Sequence, residues 1–203
     1  VPGDARGRPG AWPDVRAALG LDRSYPVQFV AFISHAVRGD FGVSLRAARP
    51  VIEIIRERVP NSLRLSAAAM GVTLLFSVPM GVIAAVRKRT TVDTIIRVIA
   101  VLGQSMPSFW LGIILVEIFA VRLGVLPVFG VGGIDHYILP AFTLGMFMTA
   151  GITRLLRSGM LEVLDSEFVK MARIKGVSEG MVIWKHALRN AMIPVLTFSG
   201  MYF

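Results

Sequence analysis

Residues 166–197 read SEFVKMARIKGVSEGMVIWKHALRNAMIPVLT, a basic, amphipathic, Gly-punctuated run between two apolar segments. The spacing predicts one helix over 166–175 and a second over 178–190, with Gly176 between them. Glycine at that point allows a left-handed turn at the end of the first helix. Ser178 suits the N-cap of the second helix, with Glu179 in its first turn. Lys170, Arg173 and Lys175 would point to water or to an acidic partner, and Val169, Ala172 and Val177 would form a small apolar knob. Two readings are open: a solvated basic loop that enforces topology, or a docking surface.

Working outward, the flanks decide the fold class. Of the 203 residues 54% are hydrophobic, and the mean hydropathy is +0.66. That balance is too apolar for an ordinary soluble domain and points to an all-α, polytopic transmembrane helical bundle. The formal net charge of +9 would suggest nucleic acid in a soluble protein. In a membrane chain it reflects Lys- and Arg-rich cytoplasmic loops instead, so membrane lipid rather than nucleic acid is the expected partner. The chain has no Cys, and His35, His136 and His186 are scattered, so neither a metal site nor another cofactor is expected. No signal peptide opens it. Because it begins at Val1 and stops at Phe203 inside an apolar run, it is expected to be an internal fragment.

Hydropathy places spans at about 63–86, 99–123 and 138–156, with an incomplete fourth at 191–203, since about 20 apolar residues suffice to cross. Pro79 should kink the first span, and Pro140 suits a first helical turn of the third. Arg154 and Arg157 should end the third. Residues 1–61 form a polar, Arg-rich segment with helical patterns at 27–37 and 50–59 that does not span, and a short helix is plausible at 14–19. The two patterned stretches could dock a partner, cap a channel mouth or cover apolar surface. Arg87, Lys88 and Arg89 follow the first span and the 157–190 stretch follows the third, whereas 124–137 has no Lys or Arg. The positive-inside rule therefore makes 87–94 and 157–190 cytoplasmic, and alternation puts 1–61 outside as a separate extracytoplasmic segment ahead of a 62–203 membrane domain.

Inside the spans, Gly103-Gln104-Ser105-Met106-Pro107-Ser108 is too polar to face lipid. Gln104, Ser105 and Ser108 are candidates for a translocation path, although such residues also glue helices together. Glu117 is the one carboxylate within a span, a functional candidate by default. Its alternative is a place near the outer end, reaching headgroups or Arg122. A secondary transporter would want paired intramembrane acids or repeated broken helices. A membrane-embedded enzyme would want a His, Asp and Glu cluster or a Ser–His pair at depth. Neither pattern is present, and no catalytic residue is assigned. There is no G-x-x-x-x-G-K-[ST] phosphate loop either, since Gly130-Val131-Gly132-Gly133 lacks the Lys.

The run Phe168-Val169-Lys170-Met171-Ala172-Arg173-Ile174-Lys175-Gly176, then His186-Ala187-Leu188-Arg189-Asn190-Ala191 and Pro194, resembles the EAA loop of ABC-importer permeases. These are the inner-membrane components of binding-protein-dependent transport systems. The resemblance is closest to the dipeptide, oligopeptide and nickel type B permeases. It extends through Pro2-Gly3-Asp4, Gly20-Leu21-Asp22, Gly39-Asp40-Phe41-Gly42-Val43-Ser44, Arg49-Pro50-Val51, Ser105-Met106-Pro107-Ser108-Phe109-Trp110 and Leu126-Pro127. Ala172 and Gly176 fall on the motif's second Ala and its Gly. Lys170 and Met171 replace its Glu and first Ala, and Pro194 lies further from Gly176 than in sugar permeases. The resemblance implies a six-span subunit that pairs with a second permease subunit in a bacterial or archaeal plasma membrane. It also implies two cytoplasmic ATP-binding subunits that dock on the loop, and an extracytoplasmic substrate-binding protein. ATP hydrolysis would then lie on another chain.

Overall fold

The computed structural model describes residues 22–202 apart from Leu45 and Val131, and for Tyr202 the backbone only. The expected helix at 14–19 and the stretches Pro2-Gly3-Asp4 and Gly20-Leu21 lie outside the described residues. The chain divides into two compact units, residues 1–63 and 64–203.

In the first unit, α1 (Tyr25–Val37) starts with Pro26 in its first turn and has no buried residue. A turn follows, in which Asp40 accepts from the Gly42 N–H at 3.0 Å and lies 3.1 Å from His35 Nδ1. The Gly42 hydrogen bond, and then the His35 contact, hold the Asp40 carboxyl below the usual carboxylate range. An isolated antiparallel bridge joins Val43 to Pro50. The expected helix at 50–59 is the opening of α2 (Val51–Val86), a single helix of 36 residues. It passes through Pro60 and Pro79 without a break in its helical assignment. At 1.5 Å per residue it is about 54 Å long, more than a hydrocarbon core of about 30 Å requires.

In the second unit, α2 presents a stripe at four-residue spacing, Ala69, Thr73, Ser77, Gly81 and Ala85, all buried. α5 (Asp135–Leu164) buries a matching set: Ala141, Gly145, Thr149 and Thr153. Small residues at this spacing let two helix backbones approach closely, the usual solution where lipid removes the hydrophobic drive between helices. The approach is tight. A Cβ on Gly145 would sit 2.7 Å from the Ala69 carbonyl oxygen, and one on Gly81 would sit 3.0 Å from Leu156. The Thr73 hydroxyl lies 2.9 Å from the Ala69 carbonyl and 3.0 Å from that of Gly145, so its one proton is shared by the two helices. Towards the C-terminal end of α5 the core becomes aliphatic, built on Val82, Ile152, Leu156, Met160 and Val195.

The second expected span is not one helix. α3 (Thr91–Ser105) ends at Met106, and α4 (Ser108–Leu115) runs on as a π-helical turn (Val116–Arg122). The two segments meet at 93°. Pro107 has no N–H to continue the ladder, and the residue before it is driven to extended backbone. Met106 adopts that state, at φ −75° and ψ 128°.

Among the described residues two helices, α2 and α5, are long and apolar enough to cross a membrane, and a third span exists if the bent pair counts as one. Pro140 lies inside α5 rather than in its first turn, because the helix starts at Asp135. α5 also runs past Arg154 and Arg157, the expected end of the span. The helix continues to Leu164, since buried Leu156 and Met160 keep its apolar face packed past both arginines. After α6 (Glu167–Ile174), a short α7 (Glu179–Met181) passes through a π-helical turn (Val182–Ala187) into α8 (Leu188–Tyr202). Residues 191–202 of the expected fourth span thus lie in α8, which begins at Leu188.

Candidate functional site

Residues 166–197 fold as a helix, a glycine turn and a second helix. α6 closes with the paired bonds of a Schellman motif: the Val177 N–H donates to the Ala172 carbonyl at 3.1 Å, and the Gly176 N–H to the Arg173 carbonyl at 2.9 Å. Gly176 holds the required left-handed backbone, at φ +78°. Ser178 occupies the N-cap position, but its hydroxyl makes no capping bond. The second helix is tied to the first instead by Arg173, which donates to both carboxylate oxygens of Glu179 at 2.7 and 3.3 Å. Lys170 donates to Glu167 at 2.8 Å. These hydrogen bonds raise the pKa of both cations above their ordinary values. Two of the three cations expected to point to water or to an acidic partner therefore have partners within the loop; Lys175 has no ion-pair partner among the described residues.

The three residues of the expected apolar knob differ in exposure. Val169 is fully buried, and α6 packs on the 182–187 turn, where Val182 and Ala187 are buried too. Ala172 and Val177 are half-buried. A short amphipathic helix must first cover the structure beneath it, and here that takes up the Val169 face. The outward apolar side is Phe168, Met171 and Ile174, at i, i+3 and i+6, of which Ile174 is 79% exposed.

Two ion pairs hold this loop to the 87–94 turn, so the structure brings together the two segments expected on one membrane side. Lys88 lies 3.6 Å from Asp165 at the surface. Beneath it, Arg157 makes a bidentate pair with Asp93, both bonds at 2.8 Å. Asp93 is 1% exposed. It also accepts the Arg89 N–H at 3.1 Å, and Arg97 lies 3.3 Å away. Thr90 caps α3 by accepting the Asp93 N–H. Sequence reasoning missed Asp93. The Thr90-x-x-Asp93 capping pattern was visible, but its partner lies 64 residues away.

The polar dent falls at the bend. Gln104 accepts from Arg154 at 2.8 Å. Ser105 turns its hydroxyl back onto the Val101 carbonyl, also at 2.8 Å. Ser108 lines two cavities beside the bend. One, of about 410 Å³, also touches Phe109, His136 and Thr143; the other, of about 250 Å³, touches Ser66, Met70 and Phe147. Glu117 stands apart from both, in the π-helical turn, accepting from Arg122 at 3.0 Å. Chemically, the region offers a bend with hydroxyls and a cation on one helix seam. The loop offers a rigid helical hairpin with an apolar outer face.

The profile of the family described as "Binding-protein-dependent transport system inner membrane component" matches residues 77–203. The chain is also similar to glutathione transport system permease proteins of Escherichia coli strain K12, Shigella dysenteriae serotype 1 and Salmonella choleraesuis. Each is 44% identical over 189 residues, which is 93% of this chain and 62% of the relative. The chain thus spans somewhat under two thirds of the length of these curated relatives. The matched region contains the Schellman-closed loop, the bend and α5, and the chain belongs to the binding-protein-dependent transport system inner membrane components.

Proposed function

We propose that the chain is part of the pore subunit of an ATP-driven importer of peptide-type substrates in a bacterial or archaeal plasma membrane. In this reading it pairs with a second permease subunit, an external binding protein delivers the cargo, and two cytoplasmic ATP-binding subunits supply the energy. Residues 157–190 and 87–94 face the cytoplasm, and residues 1–61 lie outside. The observation that carries the proposal is the α6 hairpin. Its turn is fixed by Gly176, Arg173 locks it to Glu179, and Phe168, Met171 and Ile174 are left uncovered. A rigid hairpin of this kind can pass the closure of a partner on to the spans as a rigid-body movement. The Asp93–Arg157 pair ties its base to the membrane helices. A peptide-type cargo is supported by the relatives' names, which specify glutathione, itself a tripeptide. Nickel, the other cargo suggested by the sequence resemblance, has no such support here.

Co-purification tests the reading. The full-length protein should hold an ATP-binding subunit in mild detergent. The pair Met171→Asp with Ile174→Asp should release that subunit without reducing the amount of permease in the membrane. If uptake persists after every ATP-binding partner has been removed, the importer reading is wrong.

A further inference from the structure

Arg154 and Arg157 lie one turn apart on α5, and they reach opposite ends of α3. Arg157 meets Asp93, in the first turn of α3, whereas Arg154 donates to Gln104 at the far end of that helix. At 1.5 Å per residue those two partners are about 16 Å apart along α3. Their chemistry differs as well. Arg157 has a carboxylate that takes two of its bonds, but Arg154 has only a neutral amide oxygen, at 2.8 Å, and no acidic partner among the described residues. Arg154 and Gln104 are both exposed. A guanidinium carries five N–H donors in a planar fork, and one amide oxygen leaves most of them unmet.

The direction matters. An arginine near the end of a span ordinarily snorkels towards the nearer headgroups. For Arg154 the nearer helix end is Leu164, the end at which Arg157 and Asp93 pair. Its side chain runs the other way, towards the N-terminus of α5 and the bend at Met106-Pro107. Ser105 and the cavity-lining Ser108 stand at the same bend. Gln104 therefore holds an unneutralised cation at the polar break of the second span.

From this geometry we propose that Arg154, held by Gln104, is a specificity-determining site of the permease that receives the free carboxylate of a peptide-type substrate. The proposal rests on the importer reading above. A carboxylate accepts the guanidinium fork through two parallel charge-assisted bonds, which an amide cannot match. The permease thus adds its own selection for an anionic end group to whatever the binding protein selects.

The test uses the complete transporter, with its binding protein, in sealed vesicles. The probes are glutathione, a mixture of di- and tripeptides with free C-termini, and the same mixture C-terminally amidated. The readout is the ratio of carboxylate to amide uptake, compared between wild type and variants so that the binding protein's own preference cancels. Arg154→Gln should lower that ratio at least about tenfold while binding-protein-stimulated ATP hydrolysis persists, and Arg154→Lys should restore part of it. Gln104→Glu places an internal carboxylate against Arg154 without removing the cation, and it should lower the ratio as well. This second variant decides the matter if Arg154→Gln does not assemble. An unchanged ratio in assembled Arg154→Gln or Gln104→Glu overturns the proposal. So does a loss that is equal for both mixtures and appears only in vesicles containing anionic lipid, because Arg154 would then serve a headgroup phosphate. If the wild type hydrolyses ATP but imports none of the probes, the peptide-type reading itself fails.

Discussion

Asp93 shows how much of this structure hangs on one carboxylate. Its side chain is 1% exposed and takes both bonds of Arg157, a backbone N–H from Arg89 and the charge of Arg97. Removing one partner of a buried pair leaves the other charge uncompensated, which costs on the order of 3 kcal/mol. Asp93→Ala should therefore lower the thermal midpoint of the purified protein well beyond measurement error. Arg157→Lys should lower it as well, by less, because an ammonium keeps the charge but cannot reproduce the planar fork. A midpoint that Asp93→Ala leaves unmoved would show that the pair contributes nothing. By contrast, the Arg173–Glu179 pair is 41% and 61% exposed, so water screens it to about 1 kcal/mol or less. Its value is to fix the angle of the hairpin. From the sequence, Asp93 is only a first-turn acid after a capping Thr90. Its role depends on a residue 64 positions away, and no local pattern encodes that pairing.

At the scale of elements, the packing of α2 on α5 makes a sharp prediction. Gly145 has no room for a side chain: a Cβ would meet the Ala69 carbonyl at 2.7 Å and Val72 at 3.0 Å. Gly145→Val should destabilise the protein by about 1–3 kcal/mol, the usual cost of overpacking. Gly71→Ala, where a Cβ meets nothing within 4 Å, is the control and should be neutral or better. Detergent denaturation of the two variants separates them, and equal stability would refute the close approach. Gly176 differs in kind, because its Cβ would also meet nothing and only its φ of +78° is demanding. Gly176→Ala should retain most transport, whereas Gly176→Pro, which cannot adopt that φ, should abolish uptake and leave membrane insertion intact. The helices and the Gly176 turn were legible because apolar length and a glycine stop are local signals. The right angle at Met106-Pro107 was half legible: Pro107 marks a break, but the direction of the second arm depends on what it packs against. Which face of α6 turns inward was not legible, for a related reason. Helical period groups Val169 with Ala172 and Phe168 with Met171, but it does not say which group faces inward.

Across the molecule, topology links the loop to the bend. Charge alone predicts 87–94 and 157–190 on one side and the Lys- and Arg-free 124–137 on the other. The structure adds a physical bond to the first half of that expectation, because Lys88–Asp165 and Asp93–Arg157 join the two basic segments. Segments tied by a buried ion pair cannot lie on opposite faces of a bilayer. The absence of cysteine from these 203 residues makes the remaining half testable. Phe129 and Lys175 are both exposed, so either can carry a thiol without disturbing a packed face. Single Phe129→Cys and Lys175→Cys variants are made in the full-length protein, freed of any other cysteine, and intact cells are treated with a membrane-impermeant maleimide. Phe129→Cys should label at once, and Lys175→Cys only after the membrane is opened. Lys88→Cys should follow Lys175→Cys, because the Asp93–Arg157 pair, which this variant leaves intact, holds its segment beside the loop. Labelling of Lys175→Cys in intact cells would put the hairpin outside, beyond the reach of any cytoplasmic ATP-binding subunit, and the coupling role would fall with it.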